Sequence, residues 1–306
     1  MKSMGPRGDF RAITSTALIV LIAVLVVSAS TVAVLLYTGS TGEQPENRTV
    51  RVGDTVKVDY VGRLEDGRVF DTSLWEVASN DALYPKSLSF VLRAESAYTP
   101  LQFTVGSGQL ITGFDMGVRG MVEGETKVIE VPYQEGYGPM NESKLVIRPL
   151  VDQRPVYVGM NLTEFGTMYG YLPELGLLVQ DPTYGWDVLV MEVDTDADRV
   201  LVMNKPLLGE TYALYGEPES TPPSGWYAEV VSIDSSADSG NGLILIRNLL
   251  TEADAGMVEG FDLSQAATFY VDQVDEGAGT FRMNYNEELL GRTLFFTVTL
   301  MDIVNA

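Results

Sequence analysis

Apolar and polar positions alternate in "VKVDYVGR" (56–63). Val56, Val58 and Tyr60 share one side, with Lys57 and Asp59 between them. That two-residue period predicts a half-buried strand. Asp66-Gly67 follows between apolar residues, as a hairpin turn requires. Residues 74–99 mix aromatic and polar positions without a period. "PLQFTVGSGQLITGFDMGVRGM" (100–121) then reads as a strand, a Gly-Ser-Gly turn and a short helix, with Val118 and Met121 facing inward, and "GETKVIEVPY" (124–133) as another strand. Beyond Gly138 the texture changes to successive hairpins: 186–204, 226–248 and 267–286, each a strand, an acidic or glycine-containing turn, and a strand. The motif Asn-x-x-Leu-Leu-Gly-x-Thr occurs at 204–211 and again at 286–293, about 82 residues apart, which predicts a duplicated β unit. The last apolar run, "TLFFTVTLMDIV" (293–304), is a β-branched and aromatic strand.

One segment has no polar stripe at all. Residues 12–37, "AITSTALIVLIAVLVVSASTVAVLLY", carry no charge and are long enough to cross a bilayer as a helix. They exceed the ~7–15 apolar residues of a secretory signal. Lys2, Arg7 and Arg11 precede the run, while Glu43 and Glu46 are the first charges after it. The positive-inside rule therefore places 1–11 in the cytoplasm, 12–37 in the cell membrane as a single transmembrane helix, and the rest outside. Residues 38–50, "TGSTGEQPENRTV", read as a flexible linker. Sequons stand at Asn47, Asn141 and Asn161.

Composition removes several kinds of chemistry. The 306 residues include no Cys and no His, so disulfides, thiolate or imidazole metal sites, and Ser-His-Asp or Cys-His catalysis are excluded. A net charge of -22 opposes binding to nucleic-acid phosphates and reads as a solvated acidic surface. "DTDADR" (194–199) has the acidic spacing of a calcium loop, but Arg199 stands where the turn glycine is needed and Lys205 where the bidentate Glu should be. A solvated hairpin turn is the better reading. No metal and no cofactor are expected.

Three blocks, "VKVDYVGRLEDGRVFDTS", "QFTVGSGQLITGFDMGVRGMVEGETKVIEVPYQEGYG" and "NEELLGRTLFFTVTLMDI", resemble FKBP-type peptidyl-prolyl isomerases. The arrangement is most similar to the prokaryotic SlyD-like group, in which a second domain is inserted into the flap. The resemblance implies an α+β, mostly β fold: an FKBP-like twisted antiparallel sheet around a short helix. It implies a discontinuous isomerase domain, 51–138 plus 284–304, and an inserted all-β domain at 139–283. By position, Tyr60, Phe70, Asp71, Ile111, Phe114, Tyr137 and Phe296 would form the catalytic pocket. Leu101, Phe103 and Leu110 would complete the substrate-binding wall. The motif 113–138 would then supply the pocket floor at Phe114 and a wall at Tyr137. Phe70 and Phe103 read equally as core. The floor is Phe where the family often has Trp, and Leu101 stands where an aromatic is common.

The implied activity is cis-trans isomerisation of Xaa-Pro bonds in unfolded or extended proline-containing polypeptides outside the cytoplasm, with the insert holding clients. A non-catalytic peptide-binding chaperone with a degenerate pocket is the alternative.

Overall fold

The computed structural model describes residues 48–220 and 223–304. The expected cytoplasmic segment, the span at 12–37 and most of the linker lie outside the described residues. Among those described, no helix is long and apolar enough to cross a membrane.

The first sheet grows from β1 (Thr55–Arg63), whose alternation buries Val56, Val58 and Tyr60 as its sequence predicts. A turn through Gly67 (φ 89°), a backbone region open mainly to glycine, leads to β2 (Val69–Thr72). Both β2 and β3 (Leu101–Thr104) pair antiparallel with β1, β2 over Val61–Arg63 and β3 over Thr55–Val58. β4 (Thr126–Val131) stands at the opposite edge. The aperiodic stretch between β2 and β3 holds only one turn of helix, α1 (Trp75–Ala78), and a 3-10 turn at Glu95–Ala97.

The gap between β1 and β4 is filled from far along the chain. The closing strand (Leu294–Val304) pairs antiparallel with both, register Tyr60↔Val298 on one side and Ile129↔Phe296 on the other. Its buried positions alternate over most of its length. The core beneath is Val56, Val58, Phe103, Phe114, Val118, Met121, Val131, Phe296 and Leu300, with their neighbours. A short helix, α2 (Thr112–Gly117), lies against β4 with its glycines facing the sheet.

Between β4 and that closing strand the chain builds a second core. Residues 145–160 supply three short strands in sequence, β5 (Leu145–Pro149), β6 (Val151–Arg154) and β7 (Tyr157–Met160). Each pairs with the last strand of a three-stranded meander. The meanders are β8 (Leu178–Gln180), β9 (Asp187–Asp194) and β10 (Arg199–Asn204); β11 (Thr211–Leu214), β12 (Trp226–Asp234) and β13 (Leu243–Asn248); and β14 (Glu259–Asp262), β15 (Ala267–Asp275) and β16 (Thr280–Asn284). β7 joins β10, β6 joins β13 and β5 joins β16, giving three four-stranded sheets. The closing strand is β17. Trp186, Trp226, Phe269 and Phe281 are among the large side chains of this second core, which is distinct from the first.

Two expectations are corrected here. The region 139–283 is not all-β: α3 (Leu162–Tyr169) runs for eight residues between β7 and β8. Asn161 and Glu164 form a reciprocal capping box, Gly170 closes the helix in the left-handed region (φ 74°), and Phe165 is fully buried beneath it. The pattern Asn-x-x-Glu before an apolar stripe carries that signal, and the sequon at the same Asn161 obscured it. The repeat is also threefold rather than twofold. Each meander ends on an asparagine: Asn204 accepts from Trp186 Nε1 (3.1 Å), Asn248 accepts from Trp226 Nε1 (2.8 Å), and Asn284 donates to Tyr270 Oη (2.9 Å). The Leu-Leu-Gly match pairs Asn204 with Asn286, two residues past its structural counterpart, and misses the middle unit. At the β9–β10 turn, Asp194 Oδ1 accepts from the N–H groups of Asp196 and Ala197, which is how a short acidic hairpin closes itself.

Candidate functional site

The inward face of β1 sends Tyr60 toward two rings delivered by other elements, Phe114 and Phe296. Phe114, on the first turn of α2, lies 5.7 Å from Tyr60, 5.8 Å from Phe103 of β3 and 4.8 Å from Phe296 of β17, centroid to centroid. Phe70 of β2 meets Phe296 edge-on at 5.4 Å. Edge-to-face rings at these separations are worth ~0.5–1.5 kcal/mol beyond area burial. Close approach is needed at Gly62, where a Cβ would stand 2.7 Å from the Phe70 ring. All five aromatics are buried, so Phe114, the expected floor, is itself a core residue.

The polar side of the cluster is a short chain of hydrogen bonds. Tyr60 Oη donates to Asp71 Oδ2 at 2.5 Å. Asp71 Oδ1 accepts from the Thr72 N–H (2.9 Å) and from Arg93 Nη2 (3.0 Å). Arg93 Nη2 also donates to Thr72 O (2.7 Å), and its guanidinium lies 4.9 Å from the Tyr98 ring centroid. Burial, reinforced by the Asp71 charge and hydrogen bond, pushes the Tyr60 hydroxyl far above its ordinary value. It therefore stays protonated and donating. Arg93 was not singled out from sequence, because 74–99 has no period and one Arg among polar residues carries no signal.

Tyr137 stands at the rim, 47% exposed. Burial first and the Asp71 charge second raise its hydroxyl pKa, which places it within electrostatic reach of the same carboxylate. It follows a 3-10 turn (Tyr133–Glu135), and Gly138 (φ 90°) donates back to Tyr133 O at 2.8 Å. Leu101, Leu110 and Ile111 are half-buried at the edge of the core. Ile111 precedes α2, and its C=O accepts from Phe114 and Asp115 N–H. Among the described residues its own N–H finds no acceptor. Asp115, a further residue missed from sequence, is buried and fixes the Gly-Ser-Gly turn, accepting from Gly106 N (2.7 Å) and Gly108 N (3.3 Å).

Of the expected residues, Tyr60, Phe70, Phe103, Phe114 and Phe296 share one core, Leu101, Leu110 and Ile111 pack against it, Asp71 joins it through Tyr60, and Tyr137 is linked only through the Asp71 charge. Five rings from four strands and a helix pack together, with one tyrosine–carboxylate–arginine chain beside them.

Residues 46–150 match the family described as FKBP-type peptidyl-prolyl cis-trans isomerase, so the chain carries a domain of that type. The short-type peptidyl-prolyl cis-trans isomerase of Methanocaldococcus jannaschii is 42% identical over 93 residues, covering 30% of this chain and 54% of that protein. FK506-binding protein 2 of Yarrowia lipolytica is 36% identical over 104 residues, 33% of this chain and 58% of that protein. The chain thus spans little more than half the length of these relatives. A solved structure, that of AtFKBP13, covers 30% of this chain and 62% of its own at 26% identity, with a TM-score of 0.22, too low to bear on the fold.

Proposed function

We propose that this chain catalyses cis-trans isomerisation of Xaa-Pro bonds in unfolded or extended polypeptides, in a SlyD-like arrangement held to the outer face of the cell membrane by 12–37. The observation that carries the activity is the Phe114–Phe296–Tyr60 cluster with the Asp71 chain at its edge. Rotation about a prolyl bond must break amide resonance worth ~18–20 kcal/mol. An apolar site that seats the twisted ring and removes water from the imide stabilises the twisted state over either planar one. Each ~1.4 kcal/mol gained only there gives tenfold in rate. Phe114 and Phe296 would seat the ring. The Ile111 N–H and the Tyr137 hydroxyl would take the flanking carbonyls, and Asp71 would hold Tyr60 in place. None of this needs His, Cys, metal or cofactor.

The region 139–283 would hold the client. What supports this is apolar surface on the first meander and α3: Met168, Tyr171, Leu172, Leu175 and Leu178 are all exposed.

The activity is tested by line-shape or exchange spectroscopy on an Xaa-Pro tetrapeptide with the full chain. Acceleration over the spontaneous rate is expected, and a rate equal to buffer alone would leave the peptide-binding reading. For the holding role, Gly138 is joined to Asn284 by a Gly/Ser linker. Tetrapeptide turnover should persist while catalysis of a proline-limited refolding reaction falls; equal refolding rates refute the role. Protease added to right-side-out vesicles should digest residues beyond 38. Full protection would reverse the orientation.

A further inference from the structure

Where the three meander sheets converge, the described residues enclose a cleft of about 570 Å³, walled by β5, β6, the 182–185 loop, the end of β11, and β14 with the turn after it. Its size is that of a ligand site, and its chemistry departs from the rest of this acidic chain. Arg148 of β5 lines it and makes no ion pair or side-chain hydrogen bond among the described residues. Arg154 of β6 is partly engaged, donating from Nε to Tyr184 Oη (2.6 Å) and pairing through Nη2 with Asp152 (3.2 Å). Tyr215 also lines the cleft, in the left-handed region (φ 61°) that a bulky residue seldom adopts. Its hydroxyl has no partner among the described residues. The Tyr215 ring is fixed by Trp226 at 4.9 Å and Phe269 at 5.2 Å.

The one carboxylate among the lining residues has both oxygens engaged in hydrogen bonds, though its charge still reaches Tyr215. Asp262 Oδ1 accepts from Ser264 N (2.9 Å) and Ser264 Oγ (2.6 Å), and Oδ2 from Tyr285 Oη (2.7 Å). Two side chains lining the cleft, Arg148 and Tyr215, therefore keep donors unused among the described residues. Beside them, Phe261 and Leu263 are 44% and 62% exposed. A carboxylate attached to an apolar group complements both features.

We propose that this cleft is a second polypeptide-binding subsite, which takes an Asp or Glu side chain next to a large apolar residue of an extended client, and which rests on the client-holding reading above. The carboxylate pairs with Arg148 and the Tyr215 hydroxyl, and the apolar neighbour lies on Phe261 and Leu263. Elsewhere the net charge of -22 repels acidic segments, so the cleft orients such a segment by exclusion as well as by attraction.

The test uses the full chain and two fluorescent peptides without proline, Ala-Phe-Glu-Phe-Ala and its Gln analogue, with binding read by anisotropy. The Glu peptide should bind about fivefold or more tighter at low salt, and the difference should shrink with added salt. Arg148→Met should abolish the difference while tetrapeptide isomerisation is unchanged. Arg148 is exposed and contributes only its backbone to the sheet, so the variant should fold. Leu263→Ser should weaken both peptides alike and keep their ratio. Equal binding of the two peptides, a difference that survives Arg148→Met, or no binding of either overturns the proposal. The refolding comparison of the full chain with the Gly138–Asn284 deletion reads client holding by itself, so loss of the Glu preference with that difference intact overturns this proposal alone.

Discussion

Gly113→Ala tests how closely the floor of the pocket is built. Gly113 has no positive φ, so its lack of a side chain serves approach and not backbone conformation. A Cβ there would lie 2.6 Å from Val131 Cγ1, 3.0 Å from Cγ2 and 3.1 Å from Cβ. Carbon–carbon contacts are optimal at about 3.5–4.0 Å, so α2 or β4 must yield by roughly 1 Å. Val131 is fully buried and β-branched, hence stiff about χ1. Overpacking of this kind costs about 1–3 kcal/mol. Against it stands a gain of up to ~1 kcal/mol from replacing Gly by Ala in a helix. The expected net is a loss of about 1–2 kcal/mol in urea unfolding. Phe114 is the next residue along, so the shift moves it against Phe296, and kcat/KM of the proposed isomerase activity should fall several-fold. Val131→Ala in the same chain should relieve the overlap, giving a favourable coupling of about 0.5–3 kcal/mol in a double-mutant cycle. A Gly113→Ala protein that gains stability and keeps full activity, or a coupling near zero, would refute the packing argument.

Three other outcomes follow from the same geometry. Phe114→Ala should cost about 3–5 kcal/mol, because the residue is buried among rings, whereas Tyr137→Ala at the exposed rim should lower turnover with stability within ~0.5 kcal/mol; parallel urea curves and peptide assays separate the two. Burial raises the hydroxyl pKa of Tyr60, Tyr184 and Tyr285, and pushes Tyr169 up to about 12. The neutral forms therefore contribute full stability below the ordinary tyrosine value near 10 and lose it as pH rises through the folded values, so urea midpoints should hold to about pH 9 and drop beyond pH 10, in step with late tyrosinate absorbance. Arg68→Met should destabilise by about 3–5 kcal/mol, since it strands a buried carboxylate, and adding Glu288→Gln should restore part of the loss.

The first sheet was legible because its strands announce themselves by alternation and its turns by Asp66-Gly67 and the Gly-Ser-Gly run. The aromatic members of the site were legible only through family resemblance: Phe70 and Phe114 look like any core residue in a two- or four-residue period. Arg93 was illegible for a different reason. Its partner Asp71 lies across an aperiodic stretch whose path is set by single contacts, such as Trp75 against Tyr98 at 5.4 Å. The three hairpins of 186–286 could be read locally. Their assembly could not, because β5, β6 and β7 are short strands whose partners lie some 45 to 135 residues away, and nothing local to 145–160 specifies that pairing.

The two cores are fastened together at more than the two chain crossings, and this bears on how a client-holding region could help a prolyl pocket. Gly291 N donates to Gly138 O at 2.8 Å, closing the neck. Asn286 accepts from Asn141 N (3.0 Å) and donates to Asn141 O (3.0 Å). Farther out, Arg68, from the β1–β2 turn, donates to Gly256 O of the third meander. It is buried beside Glu288, whose Oε2 accepts from Ser89 N at 2.7 Å. Among the described residues Glu288 Oε1 has no hydrogen-bond partner and lies 3.7 Å from Arg68 Nη1, so the pair is held by charge and leaves polar capacity unused. A bridge of this kind is a poor way to gain stability, because desolvation offsets much of the attraction, but it fixes a direction. A tether alone raises local client concentration at the pocket regardless of orientation. Under the proposed client-holding role, a braced neck would restrict which client positions reach Phe114 and Tyr137. Loosening the brace should then spare tetrapeptides, which use the pocket alone, and affect long clients most.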